Sequence, residues 1–242
     1  MAKDYLRRRL ENEVSMVDDV ERLLTVYARR LVGMIAAGAS QDDIDALVEE
    51  LIAILLDDCE ILAVDTHDDR RDGIIAFITR TWKGDDLAWR ITSRVRTFAD
   101  EVTTISIAGF LLGLTAANIV ASVIESMRDP WKNPLLVELR EKVRRGEIAL
   151  PSGLDIDERH YGQGVPISSL TALTDITRFA VGEGWNWYDY EENKNRAKGY
   201  FVFRGSSYPC DECDSHVGYH PVEDTDSLPL FHKHCCCYVV WV

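Results

Sequence analysis

The chain has 242 residues, 46% hydrophobic and 28% charged, with a formal net charge of −14. A chain this long with this apolar content buries a core without disulfide staples, which excludes a disordered polymer and a disulfide-framed miniprotein. The acidic balance argues against a surface that wraps DNA or RNA, because phosphate binding needs a basic patch. The short basic runs Arg7 to Arg9 and Arg140 to Arg145 read as solvated helix faces.

The chain opens with helical spacing from Lys3 to Ala37, through Leu6, Leu10, Val14, Val17, Leu24, Ala28 and Leu31. Met1 to Asn12 is charged and lacks an apolar segment, so no export signal is expected there. Gly38 ends the first helix. Ser40 reads as the N-cap of a second, with Asp42 and Asp43 in its positive first turn. Cys59 sits inside that helix as a small buried hydrophobe. The acidic run Asp65 to Asp72 marks a turn, and a further helix is expected to about Trp82. Lys83-Gly84-Asp85-Asp86 then gives a stop and a fresh cap.

Leu87 to Asp100 is amphipathic, with Arg90, Arg94 and Arg96 on its polar side. Val102 to Ile124 carries no charge, and Gly109-x3-Gly113 resembles a transmembrane packing motif. Its six Ser, Thr and Asn side chains make it too polar for a span. Two buried helices meeting at a corner at Gly113-Leu114-Thr115 is the reading adopted, and no membrane contact is expected. Pro130 and Pro134 break the chain around Trp131, and Leu135 to Arg145 forms a short helix stopped by Gly146. Leu150 to Pro166 has no periodicity and reads as a loop. Ser168 then caps a long helix through Leu170, Leu173, Ile176 and Phe179, which Gly182 and Gly184 bend or interrupt. Tyr200 to Phe203 and Tyr238 to Val242 read as strands. The expected organisation is a helical domain over 1–150, a linker over 151–167, and a long helix with a β module over 168–242. The fold class is mainly α, a multi-helix region with a small C-terminal zinc-stapled β-hairpin, α+β overall.

Five of the six cysteines and four of the six histidines fall in the last thirty-five residues. They are ordered Cys210-x2-Cys213, eighteen residues, then His232-x2-Cys235-x-Cys237. Two short clusters of thiolates and imidazoles joined by one loop suit a tetrahedral zinc site. Adjacent cysteines are poor disulfide partners. The second cluster is over-supplied, since it also holds His234 and Cys236. Extended geometry puts Cys235 and Cys237 on one face and Cys236 on the other, where it packs. The candidate sets are Cys210, Cys213 and His232 with Cys235 or Cys237, or the four cysteines Cys210, Cys213, Cys235 and Cys237. A set with His232 and Cys237 is preferred. Four protein ligands make a closed, structural zinc site, and there is no His-Glu-x2-His of a metalloprotease. His216 and His220 lie in the intervening loop and are expected to be exposed.

The string Cys210-Asp-Glu-Cys213, the loop, and Leu228-Pro229-Leu230-Phe231-His232-Lys233-His234-Cys235-Cys236-Cys237 resembles the C-terminal signature of phage head morphogenesis proteins, also called minor head or Mu F-like proteins. His232, Cys235 and Cys237 fall on the histidine and the two cysteines of that pattern. Cys236 stands where the family commonly has arginine, and Lys233 and His234 replace proline and asparagine. Of the family's Arg-Thr-Glu sequence only the arginine is matched, at Arg178. The resemblance covers about Ser168 to the end. It implies a structural, non-enzymatic component of the virion or procapsid, made in the bacterial host cytoplasm, from a phage or prophage. The implied partners are portal and capsid proteins, with self-association left open. Trp185 and Trp187 are candidates for such contacts, or they cover the core as aromatics at helical spacing do.

Two other readings compete. One is a zinc-supported nuclease of the His/Asn-finger type, with His216 or His220 as general base beside Asp214 or Glu223. The acidic balance counts against it. The other is a zinc-bearing interaction module of a mobile element.

Overall fold

The computed structural model describes residues 2–81, 84–156, 168–232 and 235–242. It is mainly helical with one small sheet near the C-terminus. The helices are α1 (Ala2–Ala36), α2 (Gln41–Val64), α3 (Arg71–Ile78), α4 (Leu87–Leu111), α5 (Ala116–Ser126), α6 (Pro134–Arg144), α7 (Ser169–Asn193) and the short α8 (Asp211–Ser215). The strands are β1 (Gly199–Phe203), β2 (Gly218–Pro221) and β3 (Tyr238–Trp241). By backbone proximity the chain divides into two compact units. One comprises Met1–Asp18, Leu55–Arg90 and Asp175–Val242; the other comprises Asp19–Ile54 and Ile91–Thr174. Residues 157–167 of the expected linker lie outside the described residues, as do Trp82 and Lys83.

Local chemistry sets most boundaries. Ser40 caps α2 reciprocally with Asp43: its hydroxyl accepts from Asp43 N at 3.2 Å, while Asp43 Oδ2 accepts from Ser40 N at 3.1 Å. The Ser40 hydroxyl also donates to Asp43 Oδ2 at 2.6 Å, and that bond, with the one from Ser40 N, holds the Asp43 carboxyl below its ordinary value. α3 stops at Ile78, short of the expected Trp82, and Arg80 caps its end by donating to Phe77 O at 2.6 Å.

In the second unit, the uncharged stretch is two helices with a corner, as expected. Gly113 has φ +79°, and Thr115 Oγ1 accepts from Asn118 N to cap α5. The two glycines of Gly109-x3-Gly113 therefore do different jobs. A Cβ at Gly109 would lie 2.5 Å from Ile119 Cγ1, so this glycine lets α5 approach α4, while Gly113 permits the left-handed helix end. Asn133 is fully buried; it caps α6 by accepting from Leu135 N at 2.8 Å and ties α5 in place by donating to Ser122 O at 3.0 Å. Among the described residues no helix is long and apolar enough to cross a membrane.

In the first unit α7 is the axis. Gly182 and Gly184 do not interrupt it; the helix is continuous from Ser169 to Asn193. They are points of close approach instead. A Cβ on Gly184 would meet Ala63 Cβ at 2.7 Å and Ile74 Cγ2 at 3.0 Å, and one on Gly182 would meet Leu230 Cδ1 at 2.7 Å. Trp185 is buried, with its indole N–H donating to Leu62 O at 2.9 Å, so it is a core residue and not a contact residue. Cys59 is buried as expected, and burial pushes its thiol pKa up.

The expected two-stranded hairpin is a three-stranded antiparallel sheet in the order β2-β1-β3. β1 and β3 pair with Tyr200 opposite Trp241 and Val202 opposite Val239. β2 comes from inside the inter-cluster loop and pairs with the other edge of β1, Tyr200 opposite His220. Two strands alone are marginal in water, and the third edge adds the pairing they lack. Tyr200, Val202, Val239 and Trp241 join Phe179 of α7 in an apolar cluster that also contains the cysteines. Trp241 Nε1 donates to Asp189 Oδ2 of α7 at 2.6 Å.

Two outcomes are expected. Gly184→Ala removes a helix-interior glycine, a gain of about 1 kcal/mol, but overpacking costs about 1–3 kcal/mol. Urea unfolding is therefore expected to show a net loss. Burial pushes the Asp189 carboxyl up to about 6, against the opposing Trp241 bond and the Arg9 charge. Between pH 4 and 6 the folded chain then holds a proton that the unfolded chain has released, so stability falls as pH rises through this window and levels off above it. Asp189→Asn keeps an acceptor for Trp241 without the charge. It is expected to be more stable than the parent at pH 7 by about 2 kcal/mol, with the gap closing towards pH 4 in parallel thermal melts.

Candidate metal centre

Cys210 and Cys213 are brought together by the first turn of α8. Cys210 is its N-cap, in extended backbone, and its sulfur accepts from Cys213 N at 3.4 Å. The second cluster arrives on the segment leading into β3. Cys235 N donates to His232 O at 2.9 Å, and Cys235 Sγ accepts from Cys237 N at 3.4 Å. Both clusters thus aim N–H groups at sulfur, an arrangement that favours thiolate.

All five candidate ligands converge. The ligand atoms of Cys210, Cys213 and His232 lie within 4.8 Å of one another, and so do those of Cys213, Cys235 and Cys237. Cys213 belongs to both groups. Its sulfur is 3.0 Å from His232 Nε2 and 3.8 Å from Cys235 Sγ, and His232 Nε2 is 3.3 Å from Cys210 Sγ. Cys213, Cys235 and Cys237 are buried, while Cys210 and His232 are half-buried. Lys233 and His234 lie outside the described residues.

Burial pushes the Cys213 thiol pKa well up, reinforced by hydrogen bonds to Cys210 and Cys237 and by the charge of Cys235. Cys237 is raised by burial and by Cys235. Crowded buried thiols resist ionisation together because each thiolate repels the next. A bound cation reverses that cost, so a Cys/His cluster of this form is able to hold a metal ion and would release protons on doing so.

Cys236 belongs to neither group. It is half-buried, and its sulfur receives Arg178 Nη2 at 3.7 Å. Arg178 also bonds Glu13 Oε2 at 2.9 Å. Burial opposes the Arg178 charge, but Glu13 and Cys236 outweigh it and raise its pKa. Arg9, itself buried, donates to Asn186 Oδ1 at 2.9 Å and reaches Cys237 O at 3.5 Å. Arg9 Nε and Glu13 Oε1 face each other at 3.1 Å without hydrogen-bond alignment, so this contact is a charge pair only. The segment holding Cys236 and Cys237 is thereby tied to α1 and α7. Sequence reasoning missed these charges; the visible signal was Arg9 and Glu13 four residues apart on the apolar face of α1.

The loop histidines are not exposed. His220 lies in β2, with Nδ1 2.9 Å from Asp224 Oδ2 and Nε2 2.8 Å from His216 O. Both ring nitrogens are engaged, so it is a structural residue of the loop. His216 stacks on Phe231 at 4.0 Å, with its Nδ1 3.4 Å from Ser227 Oγ. Asp214 is paired with Arg204.

Because Cys213 is common to both groups, Cys213→Ser is expected to abolish stoichiometric metal binding, whereas Cys236→Ser retains one ion per chain. Cobalt(II) titration followed by thiolate charge-transfer absorbance reads both. Chelation of the parent is expected to abolish the near-ultraviolet circular dichroism of the β module and leave the helical far-ultraviolet signal.

No family model matches the chain, and no curated protein and no solved structure matches it.

Proposed function

We propose that this chain is a zinc-stapled structural protein of phage or prophage head assembly, a minor head component that acts near the portal and is not an enzyme. The observation that carries the reading is the gathering of Cys210, Cys213, His232, Cys235 and Cys237 in the ligand order of the head morphogenesis signature. One sulfur–sulfur separation suits zinc. Two thiolates about 2.3 Å from a tetrahedral zinc ion lie about 3.8 Å apart, and Cys213 Sγ and Cys235 Sγ are 3.8 Å apart. Zinc here takes Cys210, Cys213 and His232 with Cys235 or Cys237, a closed set that supplies fold and no chemistry.

The rest of the module supports a docking role. The outer face of the sheet exposes Phe201, Phe203, Tyr219 and Val240, with Phe201 opposite both Tyr219 and Val240. Portal or capsid proteins are the partners this reading gives that face, in the procapsid or virion. Of the two bases the nuclease reading offers, His220 is disfavoured because both its ring nitrogens are engaged, which leaves His216 as the candidate for that reading.

Co-expression with the portal protein of the same element tests the proposal. The chain is expected to co-purify with the portal, and Phe201→Asp with Phe203→Asp is expected to weaken that association at least tenfold while zinc content stays at one per chain. A gene neighbourhood without portal and large terminase, together with no co-purification, would sink the reading. DNA cleavage that is lost in a His216→Ala/His220→Ala variant would favour the nuclease instead.

A further inference from the structure

A second site lies in the same compact unit, next to the ligand cluster and lined by none of its five ligands. A cleft of about 540 Å³ opens between α7, the end of α3 and the loops that carry the metal ligands. That volume falls in the range of small-ligand pockets. Four aromatic rings line it: Phe77, Trp187, Tyr190 and Phe231. Two of them are held in place by packing. Phe231 is stacked on His216, and Trp187 is seated so closely on α3 that a Cβ at Gly73 would fall 2.2 Å from its indole.

The charges of the cleft do not cancel. Arg80 is spent within the protein: Nη2 bonds Glu183 Oε2 at 2.6 Å, Nη1 bonds Phe77 O at 2.6 Å, and the guanidinium lies 3.5 Å over the Phe77 ring. Glu183 is buried and also accepts from Leu230 N at 3.2 Å. Glu212 and Asp226 remain. Both are exposed at the cleft, and neither has an ion-pair partner among the described residues. Aromatic walls with surplus carboxylates favour a cation, whose charge the rings attract and the carboxylates neutralise. A planar guanidinium stacks on rings and forks onto carboxylates better than an ammonium does. The cleft already holds one guanidinium in that way, Arg80 over Phe77.

We propose that this cleft is a binding site for an arginine side chain presented by a partner protein, with Glu212 and Asp226 as its counter-charges and Trp187 and Tyr190 as its stacking walls. The apolar stem of the arginine packs on Leu228 and Pro229, which line the same cleft. Because Leu228 to Phe231 lead directly into His232, the wall stands where the metal loop places it. The site is independent of the partner's identity and of the head-assembly reading.

Calorimetric titration of the zinc-loaded full chain with acetyl-Gly-Arg-Arg-Gly-amide tests this, with metal content measured on the same sample. The expected result is saturable binding that weakens at least tenfold with the isosteric citrulline peptide. The same loss is expected in Glu212→Gln/Asp226→Asn, whose two exposed positions leave the unfolding midpoint unchanged. Four results would overturn the proposal: no binding to fully metal-loaded protein, equal binding of the citrulline peptide, equal binding to the double variant, or spermidine binding as tightly as the arginine peptide.

Discussion

The C-terminal module depends on one convergence, the meeting of two remote clusters of soft ligands around the sulfur of Cys213. Cys213 lies 3.0 Å from a histidine nitrogen and 3.8 Å from a second cysteine sulfur, both supplied from the far side of a long loop. That meeting closes the path from β1 to β3. β1 then has a partner on each side, and its inner residues Tyr200 and Val202 are buried against α7 and the cysteines. The thiols are part of the apolar cluster, so ligand geometry and core packing are one constraint. Burial raises the pKa of Cys213 and Cys237, and only a cation lets such a group of sulfurs ionise together.

The module is also bound to helices far from it in sequence. Arg9 of α1 reaches the Cys237 carbonyl and Arg178 of α7 reaches the Cys236 sulfur, while Asn186 and Glu13 hold those two arginines in place. Buried charges of this kind add little net stability, but removing one partner strands the other. They specify where the segment lies more than how tightly it holds. Gly182 and Gly184 complement them, since both let α7 come within contact of its neighbours without side chains in the way. The cleft beside α7 shares this scaffold, and its walls stand where the helix and the metal loop bring them.

Local patterns carried much of the fold. Helix starts at Ser40, Thr115 and Ser168, and the ends at Gly38, Gly113 and Gly146, follow from cap chemistry that acts over four or five residues. The failures share a cause. β2 was hidden because a four-residue strand has no periodicity to show and exists only because β1 offers an edge. His220 looked exposed because its two partners, Asp224 and the His216 carbonyl, meet it only after the loop folds back. The glycines of α7 looked like breaks because a close approach between helices leaves no trace in a single sequence.

By itself, then, the amino-acid sequence determined the helices other than α8, the strands β1 and β3 and the identity of five candidate ligands, since each rests on chemistry between near neighbours. Tertiary structure alone decided that those five form two groups of three with Cys213 in common, that the Cys236 sulfur meets Arg178, and that Trp185 is core. It also decided that Glu212 and Asp226 line an aromatic cleft. Each of these is a distance between residues far apart in the chain, and such distances are set by how elements pack rather than by what any one segment prefers.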